Sequence, residues 1–248
     1  MRFFIDITYD GSLFHGWQKQ PNALTIQEVM EEQFFKIFGA PVELVGAGRT
    51  DTGVHARQLI AHFDWEEINE TENLIYKLNR MLPKSIAVNG LYRVKPDAHA
   101  RFDALSREYH YQISLSKSPF KKDYYAFCPY ELDVEKMNKA CGILRSYNDF
   151  QSFSKVKTDV KTYLCKIERA EWLRKDGDLI FIVQADRFLR NMVRALVGTL
   201  IEVGRGRLML AGFQEVIESK SRSAAGTSVP AKGLFLHKIE YPDSIKCI

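Results

Sequence analysis

The 248-residue chain contains no uninterrupted apolar run of the 18 or so residues that a membrane span needs, so no membrane partner is expected. Asp6 and Asp10 stand where a secretory leader would keep its apolar core, which makes the cytoplasm the expected address. Cysteine is scarce. Cys128, Cys141, Cys165 and Cys247 lie far apart, with no Cys-x-x-Cys pair and no His-Glu-x-x-His helix, so neither a zinc site nor a disulfide framework is encoded locally. The two familiar phosphate loops are missing as well: Gly-x-Gly-x-x-Gly would need glycine where Asp51 stands, and Gly-Lys-Ser/Thr does not occur.

What remains is ordinary globular material. Hydrophobic residues at 46% and charged residues at 27% exclude disordered, collagen-like and coiled-coil readings of the whole chain. The length fits one large domain or two packed halves. The net charge of +4 is unevenly spread: residues 1–104 carry 11 Lys/Arg against 14 Asp/Glu, and residues 105–248 carry 24 against 17. A basic second half points to an anionic partner, with nucleic acid first because Lys/Arg neutralisation of phosphate supplies most non-specific affinity; a solvated surface of chance imbalance is the alternative.

Alternation of Phe3, Ile5, Ile7 and Tyr9 against Phe4, Asp6 and Thr8 predicts a half-buried strand ending at the Asp10-Gly11 turn. Helical spacing over Leu24–Phe38 is followed by stop signals at Gly39 and Pro41, then by a short strand over Val42–Val45. A strand over Gln58–Phe63, a helix over Glu72–Met81 and a strand over Ile86–Tyr92 complete β-α-β-β-α-β. The order recurs with a strand at Ser106–Leu115, a helix at Val134–Leu144 and strands at Tyr163–Trp172 and Leu179–Ala185. Helices at Phe188–Ile201 and Leu208–Ile217 and a strand at Gly233–Ile239 follow. The fold class is therefore α+β: two tandem βαββαβ halves of RRM-like or ferredoxin-like order, 1–104 and 105–248, whose antiparallel sheets would form a central cleft. The Lys/Arg/Ser-rich loops Ser116–Asp123, Ser154–Lys161 and Ser219–Lys232 would edge such a groove, or simply be solvated.

One segment carries chemistry. Gly46-Ala47-Gly48-Arg49-Thr50-Asp51-Thr52-Gly53-Val54-His55-Ala56 follows a short apolar strand and brackets one arginine, one carboxylate and two hydroxyls with three glycines. Composition leaves two readings open: a loop that presents Asp51, or a turn in which Asp51 and Thr50 serve only the backbone.

Gly48–Ala56 resembles the signature of the tRNA pseudouridine synthase A (TruA) family. So do Tyr9-Asp10-Gly11, Phe14-x-Gly16-Trp17-Gln18, Phe102-x-Ala104-x-x-Arg107-x-Tyr109-x-Tyr111, Phe188-Leu189-x-x-Met192-Val193-Arg194, Val197–Leu200 and Lys232–Leu236, so the likeness spans the chain. Thr52 departs from a frequent alanine, and Thr227-Ser228-Val229-Pro230 departs from the usual Pro-Thr-Ala-Pro.

The resemblance implies isomerisation of uridine to pseudouridine at positions 38–40 of the tRNA anticodon stem-loop, by a homodimer, with Asp51 as catalytic carboxylate. Such a reaction has no redox change, so no cofactor is expected. Arg194 would hold Asp51 ionised. Because the target base is stacked it must be flipped out, which Arg49 would assist; Tyr109 would stack on the flipped uracil, unless it is a core tyrosine. Leu234 would wall the base pocket or be simply core. Arginine at 187, 190 and 194 recurs at helical spacing, so Arg187 and Arg190 would face phosphate, or solvent, on one side of the predicted helix. His55 is set aside as an acid or base, since a loop histidine can equally satisfy backbone groups. Two rivals belong to other classes: a non-catalytic RNA-binding module that would be expected to lose Asp51 or Arg194, and a nucleoside hydrolase that would not need the basic half.

Overall fold

In the computed structural model, residues 1–156 and 160–247 are described; Lys157, within the expected basic loop Ser154–Lys161, lies outside them. The chain divides into two compact units, Met1–Leu105 joined by the stretch from Phe235, and Ser106–Leu234. The stretch from Phe235, placed by sequence with the second half, thus packs with the first.

In the first unit β1 (Arg2–Tyr9) pairs antiparallel with β3 (His55–Asp64) on one side and β4 (Ile86–Val94) on the other. The short β2 (Val45–Gly46) pairs antiparallel with β3, and β9 (Leu234–Glu240) adds in parallel at His55 and Ala56. The alternation in β1 sends Phe3 onto Phe63, centroids 5.7 Å apart, and Phe63 meets Phe34 of α1 (Ile26–Phe38) at 4.9 Å. The opposite face is not left to water as a half-buried strand would be. Phe4 is fully buried because Tyr92 and Tyr241 close over it; burying such a side chain is worth roughly 1.5–3 kcal/mol. On that face the Asp6 carboxylate accepts from Gln58 and Asn89, and burial pushes it above the usual carboxylate range.

Helix α1 starts two residues later than its apolar spacing suggests, because the Thr25 hydroxyl caps the Glu28 N–H; Gly39, at φ 72°, ends it. Helix α2 (Thr71–Met81) buries Leu74 and Leu78, and its Asn79 amide pairs both backbone groups of Val88 in β4. The expected strand over Val42–Val45 shrinks to Val45–Gly46: Val42 and Leu44 are buried without joining a ladder, and the Leu44 N–H goes instead to the Glu31 carboxylate.

In the second unit β8 (Asp178–Ala185) lies between β5 (Ser106–Ser114) and β7 (Ile167–Lys175), antiparallel to both. A two-residue turn, Asp176-Gly177 with φ 51° and 81°, joins β7 to β8 in the conformation that matches strand twist. The short β6 (Ala126–Phe127) runs parallel to the end of β5. Helix α3 (Val134–Leu144) is capped by the Asp133 carboxylate. Helix α4 (Met192–Gly204) buries most of its surface and precedes α5 (Leu210–Glu218). Cys128, Cys141 and Cys165 are buried, and burial pushes the Cys165 thiol up to about 12, so it stays protonated and unreactive.

The helix predicted from Phe188 begins only at Met192. The Asp186 carboxylate accepts the N–H groups of Lys166 and Arg187, 2.7 Å each, and Asn191 adopts a left-handed φ of 66°, so 186–191 form an irregular lead-in. Arg187 and Arg190 therefore share no helix face with Arg194. Among the described residues no helix is long and apolar enough to cross a membrane.

Candidate active site

Residues 47–54 connect β2 to β3, and the segment Tyr9–Trp17 forms the bed on which they lie. Gly11 and Gly16 make that close approach possible. A Cβ on Gly11 would sit 2.0 Å from the Val54 carbonyl oxygen, and one on Gly16, whose φ is 89°, 2.3 Å from that of Thr50. Trp17 slides beneath Gly46, where a Cβ would meet its indole at 2.5 Å.

Backbone bonds then pin the loop at both ends. Trp17 N–H donates to Thr50 C=O, Gly53 N–H to Phe14 C=O, and Ala47 N–H to Ile60 C=O. The Thr50 side chain, 8% exposed, pairs with the Tyr9 hydroxyl at 2.8 Å. Val54 N–H closes a turn onto Asp51 C=O with Gly53 at φ 75°, the conformation a third-position glycine supplies. Thr50 and Val54 are buried, Arg49 and Thr52 are exposed, and Asp51 is half-buried.

His55 follows at 1% exposure, stacked on Phe235 with centroids 4.6 Å apart, its Nδ1 3.1 Å from both Gly11 N and Asp10 Oδ1. Buried in this way it wedges the loop against its bed. The motifs around Tyr9–Gln18 and Gly48–Ala56, forty residues apart, are one structural object. What residue types did not reveal was the Tyr9–Thr50 hydroxyl pair, because both residues read equally well as ordinary strand and loop positions.

The remaining candidates lie in the second unit. Arg194 occupies the first turn of α4, half-buried; its Nε donates to Val229 C=O at 2.7 Å, and its own carbonyl accepts the Val229 N–H. Tyr109 is half-buried on β5, its ring edge-on to Phe188 with centroids 5.1 Å apart. The core tyrosine of that strand is Tyr111, fully buried, donating to Pro230 C=O at 2.8 Å; burial pushes its hydroxyl pKa up while nearby Arg194 opposes the shift. The Tyr109–Phe188 contact gathers Tyr109 and the lead-in that bears Arg187, half-buried, and Arg190, exposed. Leu234 is 6% exposed at the start of β9.

The chain is similar to known proteins along most of its length. A family model described as tRNA pseudouridine synthase matches residues 7–103 and 147–242. The chain is 54% identical over 245 residues to tRNA pseudouridine synthase A of Parabacteroides distasonis, covering 98% of this chain and 97% of that one. It is 50% identical over 247 residues to the protein of the same name from Bacteroides thetaiotaomicron, covering 98% and 92%. The Exiguobacterium sibiricum protein of that name is 38% identical over 247 residues, covering 100% and 99%.

Proposed function

The chain belongs to the tRNA pseudouridine synthase family, an isomerase acting on uridine in tRNA, and from that premise we propose that Asp51 is its catalytic carboxylate and the anticodon stem-loop, positions 38–40, its target. The observation that supports this is the setting of Asp51: a half-exposed acid on a loop clamped by Tyr9, Gly16 and Trp17, so that its carboxylate is presented without the backbone having to reorganise.

The reaction breaks the N1–C1′ bond of uridine, turns the uracil, and joins C5 to C1′; the C5 proton leaves and N1 gains one. Substrate and product are isomers, so neither oxidant nor reductant takes part. Attack on C1′, addition to the ring and removal of a sugar proton all require Asp51 ionised, and we assign Arg194 the task of favouring that form. Extracting the base costs a few kcal/mol of stacking and pairing. Arg49, exposed next to Asp51, assists that flip, Tyr109 stacks on the extracted uracil, and Leu234 supplies an apolar wall. Arg187 and Arg190 bind phosphate, each from the irregular lead-in rather than from a helical stripe. We place the protein in the cytoplasm as a homodimer, which light scattering of the purified protein tests.

The deciding experiment is Asp51→Asn on an unmodified tRNA transcript, with pseudouridine mapped by position. Turnover is expected to vanish while tRNA binding persists. Retained turnover refutes the role of Asp51; modification outside 38–40 refutes the site.

A further inference from the structure

The run Arg222–Pro230 meets α4 through backbone surfaces that only glycine leaves bare on both sides. A Cβ on Gly198 of α4 would lie 1.9 Å from the Thr227 carbonyl oxygen, and one on Gly226 would lie 2.9 Å from the carbonyl carbon and oxygen of Gly198. Beside this crossing the buried Thr199 hydroxyl donates to Ala195 C=O at 2.8 Å and accepts the Gly226 N–H at 2.9 Å, so both of its roles are filled. Arg222 braces the run from within, donating to the carbonyls of Ala225 and Gly226 and to the Ser228 hydroxyl, which Asn191 also reaches at 2.6 Å. The Ser228 hydroxyl falls within the tetrapeptide that departs from the usual Pro-Thr-Ala-Pro.

The clamp delivers one group to a defined place. Three residues beyond Gly226, Val229 pairs with Arg194 twice: its N–H donates to the Arg194 carbonyl at 3.2 Å and its carbonyl accepts from Arg194 Nε at 2.7 Å. Pro230 is tied to β5 through the Tyr111 hydroxyl. A guanidinium is planar, so an Nε–H held on a fixed carbonyl sets the plane and heading of the whole fork.

We infer that Gly198, Thr199 and Gly226 are positioning residues of the reaction: their crossing sets the Val229 carbonyl, and that carbonyl aims Arg194. The inference rests on the catalytic role given to Arg194 above. It differs from a strap that merely holds the fold together, which would affect stability without acting through that side chain.

The test is kinetic. Thr199→Val keeps the shape and removes the acceptor of the Gly226 N–H; kcat for pseudouridine formation on transcript tRNA falls roughly 10- to 100-fold, as misplacement of a reacting group does. KM stays within about twofold, because the loss is confined to the transition state. Thr199→Ser restores most of the rate, and Ser228→Ala, at a half-exposed position, lowers kcat in the same direction. In an Arg194→Lys background Thr199→Val costs no more than about twofold, since residues acting through one group are not additive. An unchanged kcat in Thr199→Val and Ser228→Ala overturns the inference, as does the same fold-loss in both backgrounds. Wild-type turnover by Arg194→Lys alone instead refutes the catalytic reading of Arg194, a result separable from either.

Discussion

Replacing Gly16 by alanine isolates what the loop bed contributes to catalysis. The new Cβ would lie 2.3 Å from the Thr50 carbonyl oxygen, so Thr50 has to retreat by roughly 1 Å to regain ordinary van der Waals separation. Alanine at φ 89° adds about 1–2 kcal/mol of left-handed strain, which for a chain of this size lowers Tm by about 2–8 °C. The strain alone says nothing about rate. Thr50, however, is the residue before Asp51, and moving it shifts the carboxylate by a comparable distance; a misplacement of about 1 Å costs on the order of 100-fold in kcat. Gly39→Ala supplies the control, since Gly39 also has a positive φ, 72°, but a Cβ there meets nothing within 4 Å. The assay follows tritium released from C5 of labelled uridine in tRNA, below the Tm of each variant. Gly16→Ala loses both stability and rate, and Gly39→Ala loses stability alone. Wild-type kcat in Gly16→Ala, or an equal loss of rate in Gly39→Ala, refutes the argument that Gly16 positions the acid.

A histidine and the two lead-in arginines give further tests. Burial pushes His62 down to about 4, helped by Arg2 and His99 and opposed by Asp64 and Asp103, so the native state refuses a proton that the unfolded chain accepts below about 6.5. The sign follows: stability is whole above pH 6.5 and declines toward pH 4, by about 3 kcal/mol for this group. His62→Asn, which keeps an acceptor for the Ala100 N–H, flattens the decline in denaturant unfolding series, and an identical slope in both proteins rejects the assignment. Arg190→Ala, at an exposed position, weakens tRNA binding and reduces the slope of log K against log salt by about 1; Arg187→Ala does the same, and an unchanged slope returns either residue to the solvated surface.

Much of the fold was legible where local and tertiary preferences agree. Helix α3 runs over Val134–Leu144 as predicted, and β1 ends at the Asp10-Gly11 turn that its residues announce. The misreadings have identifiable physics. Arginines at 187, 190 and 194 imitate helical spacing, but the Asp186 carboxylate offers the backbone N–H of Arg187 a partner outside any helix. Alternation predicts a strand buried on one face only, and nothing local announces Tyr241, 237 residues later, as the cover of Phe4 on the other. The site divides in the same way. The resemblance of Gly48–Ala56 to a family signature singles out Asp51, which composition leaves open, but that Gly11 and Gly16 exist to admit the carbonyls of Val54 and Thr50 could not be read from a strand of letters.

Sequence by itself determined the inventory: the α+β class, the basic second half, the single carboxylate in a glycine loop and the family to which these residues point. The first three are local or compositional properties, set by periodicity, charge and residue chemistry; the family rests on the likeness of whole motifs. Tertiary structure alone decided which groups hold the acid in place, that His55 is buried and Tyr109 is not, that β9 returns to the first unit, and that Val229 grips Arg194. Each of these depends on groups distant in sequence meeting in space, several of them backbone atoms, which carry no residue identity for a sequence to display.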